Sequence, residues 1–596
     1  MKFLLASFTA SVLLTALLIH LAGLFGWNVP PRPDRWGQRT VAKFGGIPIL
    51  LALLGGVAFF SLDRRLLAIV GLTVLMGLLG FLDDLFRLSA TPKLVVQFVF
   101  SAGAVAMGVS YPLTQNPHVN ALCTVAWLVG ITNAFNIIDN IDGLAGGVAV
   151  IALAKLVFLP SAGSGATFLM LSMAGALLGF LVFNFYPAKV FMGDTGSLAV
   201  GFFLGCSSVL LTEHLSSLFS IVAIPALVLF LPVFDAALVS ATRRLSGRPL
   251  AVGAKDHSSH RLVLLGMSER RAVLLLYLIS AVAGGVAALW KSQWHNLGAG
   301  LVALYLVMAA MFWLYLARIE MPSSWLSERR SVAWAVPGFL SRTAGRVGVL
   351  ILDAAMLMLS MYFSFLFRFE TFSRHLTGVL LFTGALSILV RLPLLSLLSG
   401  ARLDWRIRSR RDVYPILATS VAGGLMLACI SYYLLPVSKE IPLALLSVDG
   451  IFSAALLFVG RFSQTVFDDF LSEGAGDFHS VMTDSGREFF HHYMDWKQHH
   501  GDMIAIGSQN GLASDFLFGI PIEGTADLSR LIARGTITTV YLLPDCSPAA
   551  GEQITAVCGA HGVSVSALRY SFEAIAAPSA DSRKLDDALR QSAIAD

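Results

Sequence analysis

Long apolar runs separated by short polar stretches fill the first 470 residues of the chain. A helix of roughly 20 apolar residues spans the hydrocarbon core of a bilayer, which is about 30 Å thick. The pattern predicts fifteen such spans, near residues 3–26, 45–62, 66–82, 94–110, 118–135, 142–160, 165–184, 196–211, 216–240, 272–290, 297–317, 345–367, 376–399, 413–435 and 442–462. The first run is too long for the apolar core of a signal peptide, so we expect it to be a helix. The predicted fold class is therefore an all-α polytopic membrane protein.

The pattern changes near residue 471. Residues 471–596 carry polar residues at the frequencies of soluble proteins and contain no long apolar run. Short runs of β type alternate there with helical stretches, which is typical of a small α/β domain; the runs are Ser480–Thr483, Met503–Gly507, Thr538–Leu543 and Val563–Leu568. We predict four parts: a membrane domain of about eleven helices at 1–320, a linker at 321–344, a four-helix membrane domain at 345–470 and a cytoplasmic domain at 471–596.

Composition agrees with this pattern and excludes several classes of protein. Hydrophobic residues make up 56% of the chain and charged residues 13%, about half the charged share of a soluble domain. Such a chain is neither water-soluble as a whole nor disordered. The net charge of +5 does not indicate nucleic-acid binding, and the five Cys show no pairing that indicates a zinc ribbon or a disulfide framework.

The distribution of Lys and Arg between alternate loops predicts the orientation of the chain. If the loop after the first span is cytoplasmic, 24 basic residues fall on the cytoplasmic side and seven on the opposite side. Short cytoplasmic loops carry an excess of basic residues. We therefore expect the N-terminus outside and the C-terminus inside.

Five polar clusters lie at the ends of predicted spans, and this orientation puts all of them on the cytoplasmic side. A charge at the bilayer centre costs about 3 kcal/mol or more, so polar residues in such a chain are informative. The clusters comprise Lys43, Gly45 and Gly46; Asp83, Asp84, Lys93 and Gln97; Asn133, Asn136, Asp139, Asn140 and Asp142; Asn184, Phe191, Gly193 and Asp194; and Lys255, Asp256, His257, His260 and Arg261. We expect Asp83, Asp139 and Asp194 to converge around one divalent ion.

These residue types favour phosphoryl-group chemistry. Carboxylates and Asn amides are hard oxygen ligands that suit Mg²⁺ or Mn²⁺ better than zinc. A helix that starts at Thr195 would direct its free N–H groups at an anion, and Lys and His side chains neutralise phosphate oxygens. A metal ion, oxyanion donors and cations together are what phosphoryl transfer requires.

The clusters resemble those of the polyprenyl-phosphate N-acetylhexosamine-1-phosphate transferase family. The similarity covers about residues 1–320 and rests on the paired aspartates after the third span, the NAxNxxDxxDGL and FMGDTGS stretches, the Asn184-x-x-Pro-Ala-x-Val-Phe191 order and the closing His-rich loop. The form resembles the bacterial branch that starts O-antigen-like glycans. The resemblance implies that undecaprenyl phosphate attacks the β-phosphorus of a UDP-N-acetyl-sugar, giving a polyprenyl-diphosphate sugar and UMP, with Mg²⁺ as the cofactor.

The resemblance also implies roles for individual residues. The catalytic positions are Asp83, Asp84 and Asp194; the metal positions are Asp194, Asn136 and Asp139; and the substrate-binding positions are Lys93, Asn133, Asp142, Asn184, Phe191, His257, His260 and Arg261. Asn184 and Phe191 resemble uracil-contacting positions. Two positions depart from the family pattern, because Asn140 stands where Gly is usual and Ser259 stands where a His is usual.

Structural roles are open alternatives for several of these residues. Asp194 also suits the N-cap of a helix. Lys155 and Arg391 lie within predicted spans, where each would snorkel, pair internally or contact a lipid phosphate.

The second half of the chain resembles a different family. Residues 345–470 and 480–570 resemble the N-terminal half of the membrane-bound nucleotide-sugar 4,6-dehydratases, which carry four helices and a CoA-binding-like Rossmann domain. Only Gly486 remains in the turn after the first strand, where close approach to a pyrophosphate requires several glycines. The resemblance implies a non-catalytic appendage for regulation, oligomerisation or docking.

The predicted function has competitors. The peptidoglycan phospho-N-acetylmuramoyl-pentapeptide transferase is a second enzyme class, which the long C-terminal half and the altered His loop disfavour. A transporter or flippase would place its polar residues near the bilayer midplane rather than at one face. A catalytically dead scaffold would not need both Asp83-Asp84 and Asp194. We expect a homodimer in the bacterial inner membrane, surrounded by lipid, with its active site facing the cytoplasm and no nucleic-acid partner.

Overall fold

The protein is described by a computed structural model that forms two compact units, Met1–Gly474 and Ala475–Asp596. The structure describes residues 2–29, 40–58, 61–159, 164–215, 217–245, 256–265, 267–291, 295–317, 338–369, 373–399, 413–434, 443–472, 478–483, 503–507, 516–517, 520–524, 537–542 and 548–567. Within the described residues of the first unit the fold is almost entirely helical, as the hydrophobic pattern predicts.

With two exceptions, the described helices of the first unit coincide with the predicted spans. They are α1 Lys2–Phe25, α2 Gly46–Val57, α3 Arg64–Phe86, α4 Ala90–Ala106, α5 Pro117–Ile138, α6 Leu144–Phe158, α7 Ser164–Asn184, α8 Gly193–Leu210, α9 Leu218–Val228, α10 Phe230–Leu245, α11 Ser258–Leu264, α12 Glu269–Lys291, α13 His295–Ala317, α14 Gly338–Arg368, α15 Arg374–Ser399, α16 Val413–Leu434 and α17 Leu443–Ser472. Helices α9 and α10 share one predicted span, and the short α11 lies in a predicted loop. Among the described residues, eleven helices are long and apolar enough to cross a membrane. The number of fifteen crossings stays a prediction, because α2, α4 and α6 are shorter.

The predicted span at 216–240 is two helices rather than one. Helices α9 and α10 meet at Leu229 with a bend of 85°, and together they qualify as a twelfth span. The bend leaves backbone groups to be satisfied inside the protein. The ammonium group of Lys155 in α6 donates to the carbonyl of Val228 at 3.1 Å and to Ser280 Oγ at 3.3 Å. Lys155 therefore pairs internally and stabilises the break.

Helix α8 is the buried centre of the first ten helices. Every residue from Thr195 to Leu210 is buried. Neighbouring helices approach it at glycines: a Cβ on Gly46 of α2 would collide with the backbone of Gly196, and one on Gly80 of α3 would collide with the backbone of Asp194. Small residues allow close helix contact where lipid supplies no hydrophobic driving force. The C-terminal end of α3 is thereby fixed against the N-terminal end of α8.

A short sheet fixes the segment that precedes α8. Strands β1 Asn28–Val29 and β2 Val41–Ala42 pair antiparallel, and Ala42 also bridges Val190 in a parallel sense. The Phe191 N–H donates to the Ala42 carbonyl at 3.0 Å. The chain therefore enters α8 along a fixed backbone path.

The four helices α14–α17 enclose a polar centre and pack on α13. Arg391 pairs with Asp449 and donates to Ser387 Oγ at 3.1 Å, so it too is paired internally. Met311 of α13 lies in one buried cluster with residues of α14, and the hydroxyl of Tyr362 donates to the carbonyl of Asn296 at 2.7 Å. The two predicted membrane domains thus belong to one compact unit, while residues 321–337 of the predicted linker lie outside the described residues.

The second unit is built on one sheet. Its described strands are β3 Phe478–Thr483, β4 Met503–Gly507, β5 Phe516–Leu517, β6 Ile520–Gly524, β7 Ile537–Leu542 and β8 Ser564–Ala567, and its described helix is α18 Pro548–His561. The strand order is β5-β6-β4-β3-β7-β8, and all pairs are parallel except β5 with β6. Four of these strands lie where the sequence pattern predicts them. The predicted turn with Gly486 lies outside the described residues.

Candidate active site

Two carboxylates from distant parts of the chain share one ammonium group. Lys93 Nζ lies 2.5 Å from Asp83 Oδ2 and 3.0 Å from Asp194 Oδ2. Asp83 ends α3, Lys93 lies in the first turn of α4 and Asp194 lies in the first turn of α8. The other oxygen of Asp83 accepts the Leu88 N–H at 2.7 Å, which fixes the carboxylate. The predicted clusters around Asp83 and Asp194 therefore form one charged site.

Asp84 contacts the N-terminus of α8 directly. Its Oδ1 accepts the Asp194 N–H at 3.1 Å, and its Oδ2 accepts the N–H of Thr195 at 3.0 Å and the Thr195 hydroxyl at 2.7 Å. Gly193 has a φ of +70°, and a Cβ there would lie 2.8 Å from Asp84 Oδ2. The N–H groups expected to bind an anion are thus bound to Asp84, which caps a helix to which it does not belong.

The end of α5 presents the third predicted cluster. Asn133 Nδ2 donates to the carbonyl of Val129 at 2.8 Å and to Gln97 Oε1 at 2.5 Å. Asn136 follows one turn later and is half-buried, and Asp139 closes the helix.

Asp142 and Asn184 fasten the turn after α5 to the segment before α8. Asp142 Oδ2 accepts the Ala188 N–H at 2.9 Å. The Asn184 amide accepts the Gly143 N–H at 3.2 Å and donates to the Val190 carbonyl at 2.8 Å. Asn184 is only 3% exposed. These bonds give both side chains a structural role, and the uracil contact of Asn184 stays a prediction.

Phe191 is half-buried and held by its backbone. Its N–H donates to Ala42 and its carbonyl accepts the Gly45 N–H, each at 3.0 Å. A partly exposed aromatic ring at this place can stack on a flat ligand. Its contact with uracil stays a prediction.

The His-rich loop is anchored by a buried aspartate that the predicted site residues do not include. Asp235 of α10 accepts His257 Nδ1 at 2.9 Å and the Ser258 N–H at 2.7 Å. Asp235 is 1% exposed. A carboxylate inside the apolar run 216–240 is the signal that marks it, because ionisable residues within spans are rarely incidental. Its bond to Nδ1 leaves Nε2 of His257 as the ring nitrogen available to a ligand.

Arg243, which lies on α10 like Asp235, and Arg261 of α11 also hold this loop. Arg243 forms a two-point ion pair with Asp256, with distances of 2.9 and 2.7 Å. Burial alone would raise the pKa of Asp256, but the hydrogen bonds and charge of Arg243 outweigh burial and hold that pKa below its ordinary value. Arg261 is 2% exposed and donates to the carbonyls of Asp256 and Leu316. Its predicted substrate contact stays a prediction, beside this structural role.

His260 lies beside His257 in the first turn of α11. Their ring centroids are 5.6 Å apart, and His260 is 2% exposed. The loop therefore carries two imidazoles next to each other, with His257 fixed by a carboxylate. Such an arrangement provides hydrogen-bond donors for an anion.

A divalent ion such as Mg²⁺ needs several oxygen ligands around one point. Among the described residues, no three His, Cys, Asp or Glu side chains form a group that could hold a metal ion. The expected convergence of Asp83, Asp139 and Asp194 around one ion is therefore not found in the described part of the chain. Mg²⁺ commonly uses one or two carboxylates together with substrate phosphates, and Asp83 and Asp194, which already share one cation, fit that requirement.

The fold is that of a polytopic membrane protein, and similarity to known proteins identifies it as a transferase. The sequence model of glycosyl transferase family 4 matches residues 66–212, which include all the predicted site residues from Asp83 to Asp194. This match, together with relatives 34% and 32% identical of which the chain covers 84% and 77%, shows that the chain belongs to this family. The His-rich loop lies beyond the matched segment.

Curated relatives cover slightly less than half of this chain. A probable undecaprenyl-phosphate N-acetylglucosaminyl 1-phosphate transferase of Bacillus subtilis (strain 168) is 34% identical over 300 residues, 47% of this chain and 84% of the relative. A decaprenyl-phosphate N-acetylglucosaminephosphotransferase of Mycobacterium tuberculosis (strain H37Rv) is 32% identical over 311 residues, 45% of this chain and 77% of the relative. A phospho-N-acetylmuramoyl-pentapeptide-transferase of Shouchella clausii is 31% identical over 321 residues, 48% of this chain and 97% of the relative.

Proposed function

We propose that the protein transfers an N-acetylhexosamine 1-phosphate from a UDP-sugar to a polyprenyl phosphate, as the first step of cell-surface polysaccharide synthesis. An oxygen of the lipid phosphate forms a bond to the β-phosphorus of the donor, and the bond from that phosphorus to the oxygen of UMP breaks. The observation that carries the proposal is the Lys93 ammonium group shared by Asp83 and Asp194 at helix ends. The names of the B. subtilis and M. tuberculosis relatives support the same reaction class.

The chain's own residues neutralise and orient phosphates in this mechanism. Lys93 supplies positive charge between the carboxylates, and His257, which Asp235 holds at Nδ1, has Nε2 left to donate to a phosphate oxygen. The lipid phosphate is largely ionised at pH 7 because the second pKa of a monoester is near 6. Neither Asp83 nor Asp84 therefore has to act as a general base. Positioning and charge compensation dominate phosphoryl transfer.

Asp83 and Asp194 would hold the Mg²⁺ (or Mn²⁺) cofactor, and we retain Asn136 and Asp139 as proposed contributors. When bound, the ion neutralises charge on the diphosphate and the leaving UMP. Support comes from the hard-oxygen character of both carboxylates and from their common contact with one cation.

We infer that the site faces the cytoplasm of a bacterial inner membrane. The support is the excess of 24 over seven basic residues on the site's side of the predicted topology. Asp83, Lys93 and Asp194 lie at the ends of α3, α4 and α8. A site at helix ends is accessible both to a lipid in the membrane and to a soluble nucleotide.

A second candidate reaction is transfer of phospho-N-acetylmuramoyl-pentapeptide. The S. clausii relative, covered over 97% of its length, favours keeping it. The two reactions differ in the donor alone, so a comparison of UDP-N-acetylglucosamine with UDP-N-acetylmuramoyl-pentapeptide separates them.

For the second unit we propose a Rossmann-like domain without catalytic function. The parallel strands β3, β4, β6, β7 and β8 have the order 3-2-1-4-5 across the sheet, which is that of doubly wound dinucleotide-binding folds. Only Gly486 remains in the turn after the first strand, where pyrophosphate binding requires several glycines. This favours a docking or oligomerisation role, for instance in a homodimer.

The test is release of UMP by the purified protein from UDP-N-acetylglucosamine with undecaprenyl phosphate and Mg²⁺. Asp194→Ala should abolish release while its helical circular dichroism is preserved, and EDTA should abolish release by the wild type. Asp63→Asn is a matched control, because Asp63 caps the opposite end of α3 and Asn also caps. Full activity of Asp194→Ala, or activity in EDTA, would refute the metal assignment. No release with any UDP-sugar would refute the function.

A further inference from the structure

Two polar side chains have no role in the mechanism above. They form a hydrogen bond with each other across the site. Ser259 Oγ donates to Asn140 Oδ1 at 2.7 Å, across 119 residues of sequence. Ser259 is fully buried and Asn140 is half-buried. These are the two positions at which the sequence departs from the pattern of the resembling family.

The direction of this hydrogen bond is fixed by its surroundings. Asn140 Nδ2 donates to the carbonyl of Ile137 at 3.2 Å. A carbonyl can only accept, so the amide nitrogen must face Ile137 and the amide oxygen must face Ser259. The Ser259 hydroxyl is therefore the donor, and the Asn140 amide is a fixed acceptor at the end of α5.

The bond joins two segments that carry predicted ligand contacts. Asn140 follows Asp139 directly, in the turn that closes α5, and its N–H donates to the Ile138 carbonyl at 2.9 Å. Ser259 lies between His257 and His260. Asp235 anchors the His-rich loop on α10, and the Ser259 hydroxyl anchors it on α5. The loop is thus held from two sides.

We propose that Asn140 and Ser259 are positioning residues that hold the two imidazoles of the His-rich loop in place against the Asp139–Asp142 turn. This inference rests on the proposed function and assigns the diphosphate of the UDP-sugar as the group whose binding depends on the pair. Loss of the bond leaves the carboxylate site of Asp83 and Asp194 intact but lets the imidazoles shift relative to the turn.

The neighbouring Ser258 provides a matched control. It is 1% exposed, and its Oγ lies near the Asp235 carboxylate without forming a hydrogen bond of ordinary geometry to the described residues. Its backbone N–H, from which Asp235 accepts a hydrogen bond, is kept in Ser258→Ala. Ser258→Ala and Ser259→Ala therefore remove the same atom from adjacent buried positions, and only the second removes the contact with Asn140.

The experiment measures steady-state UMP release against UDP-N-acetylglucosamine concentration, and the dissociation constant of UMP in the presence of Mg²⁺. Ser259→Ala should lower kcat/KM about tenfold, as expected for loss of one buried hydrogen bond, and should do so mainly by raising KM. Asn140→Ala should match it, and the double variant should be no worse than either single one, because both remove one shared contact. Ser259→Thr, which keeps the hydroxyl, should restore most of the loss, and Ser258→Ala should resemble the wild type.

Three outcomes would overturn the proposal: equal kinetics for Ser258→Ala and Ser259→Ala, an additive loss of about a hundredfold in the double variant, or no rescue by Ser259→Thr. Melting temperatures identify a variant that fails to fold. If Ser259→Ala fails, the kcat/KM values of Asn140→Ala and Ser259→Thr are compared instead: a loss in the first and a near wild-type value in the second support the proposal. Failure of the proposed function is distinguishable, because the wild type itself would then release no UMP. Failure of the present proposal leaves the wild type active and changes only the comparison among the variants. Unchanged UMP affinity in Ser259→Ala with raised KM places the effect on the sugar-phosphate end of the donor.

Discussion

Replacement of Asp84 by Ala is expected to destabilise the protein as well as to inactivate it. The carboxylate accepts three hydrogen bonds from the first turn of α8. A hydrogen bond to a charged group contributes about 1.5–3 kcal/mol, and loss of a helix cap costs about 1 kcal/mol. Because Asp84 is half-buried, water can replace part of what is lost. We therefore expect Asp84→Ala to lower the free energy of unfolding by about 3 kcal/mol.

A graded series separates this capping role from a chemical one. Asp84→Asn keeps one carbonyl acceptor and should lose roughly half as much stability, so melting temperatures in detergent should fall in the order wild type, Asp84→Asn, Asp84→Ala. Asp194→Ala is the matched control, because its carboxylate contacts Lys93 and does not cap a helix. The reasoning would be refuted if Asp84→Ala melted like the wild type and yet released no UMP. Asp84 would then act directly on the substrates.

Three further predictions follow from the same contacts. Lys93→Met should lower UMP release at least about a hundredfold, because it leaves Asp83 and Asp194 close together without a shared cation, and Lys93→Arg should recover part of it; equal rates for both variants would contradict this. The lowered pKa of Asp256 means that its ion pair stabilises the fold above the unfolded-state pKa of about 4, and that this contribution is lost as pH falls through the lower folded-state pKa. The melting temperature of the wild type should therefore drop below about pH 4 more steeply than that of Asp256→Asn. Deletion of Ala475–Asp596, the second compact unit, should leave UMP release measurable, and complete loss in well-folded truncated protein would count against a non-catalytic unit.

The hydrophobic pattern predicted the helices well because it reports a local property. Runs as short as 66–82 and 196–211 proved to be the full helices α3 and α8. The break at Leu229 was not predictable in this way, since both of its arms are apolar. The stabilising partner, Lys155, comes from another helix, and no local pattern reveals such a contact.

The candidate site shows the same division between local and long-range information. The chemistry of Asp83, Lys93 and Asp194 was predictable from residue type and position, and the structure brings them together. The capping of α8 by Asp84 and the anchoring of His257 by Asp235 were not, because each joins residues far apart in the sequence. A motif specifies which chemical groups are present. Whether each group stabilises the fold or binds a ligand depends on how the helices pack.

Helix α13 is a neighbour to both halves of the membrane unit. The carbonyl of Leu316 in its last turn accepts from Arg261 of the His-rich loop, and Met311 packs in the cluster of α14. If the chain were divided into two polypeptides before α13, the His-rich loop would lose the contact between Arg261 and the Leu316 carbonyl. A division after Ala317 would keep that contact. The four C-terminal helices pack on that same helix, so α13 is the structural connection between them and the loop that carries His257 and His260.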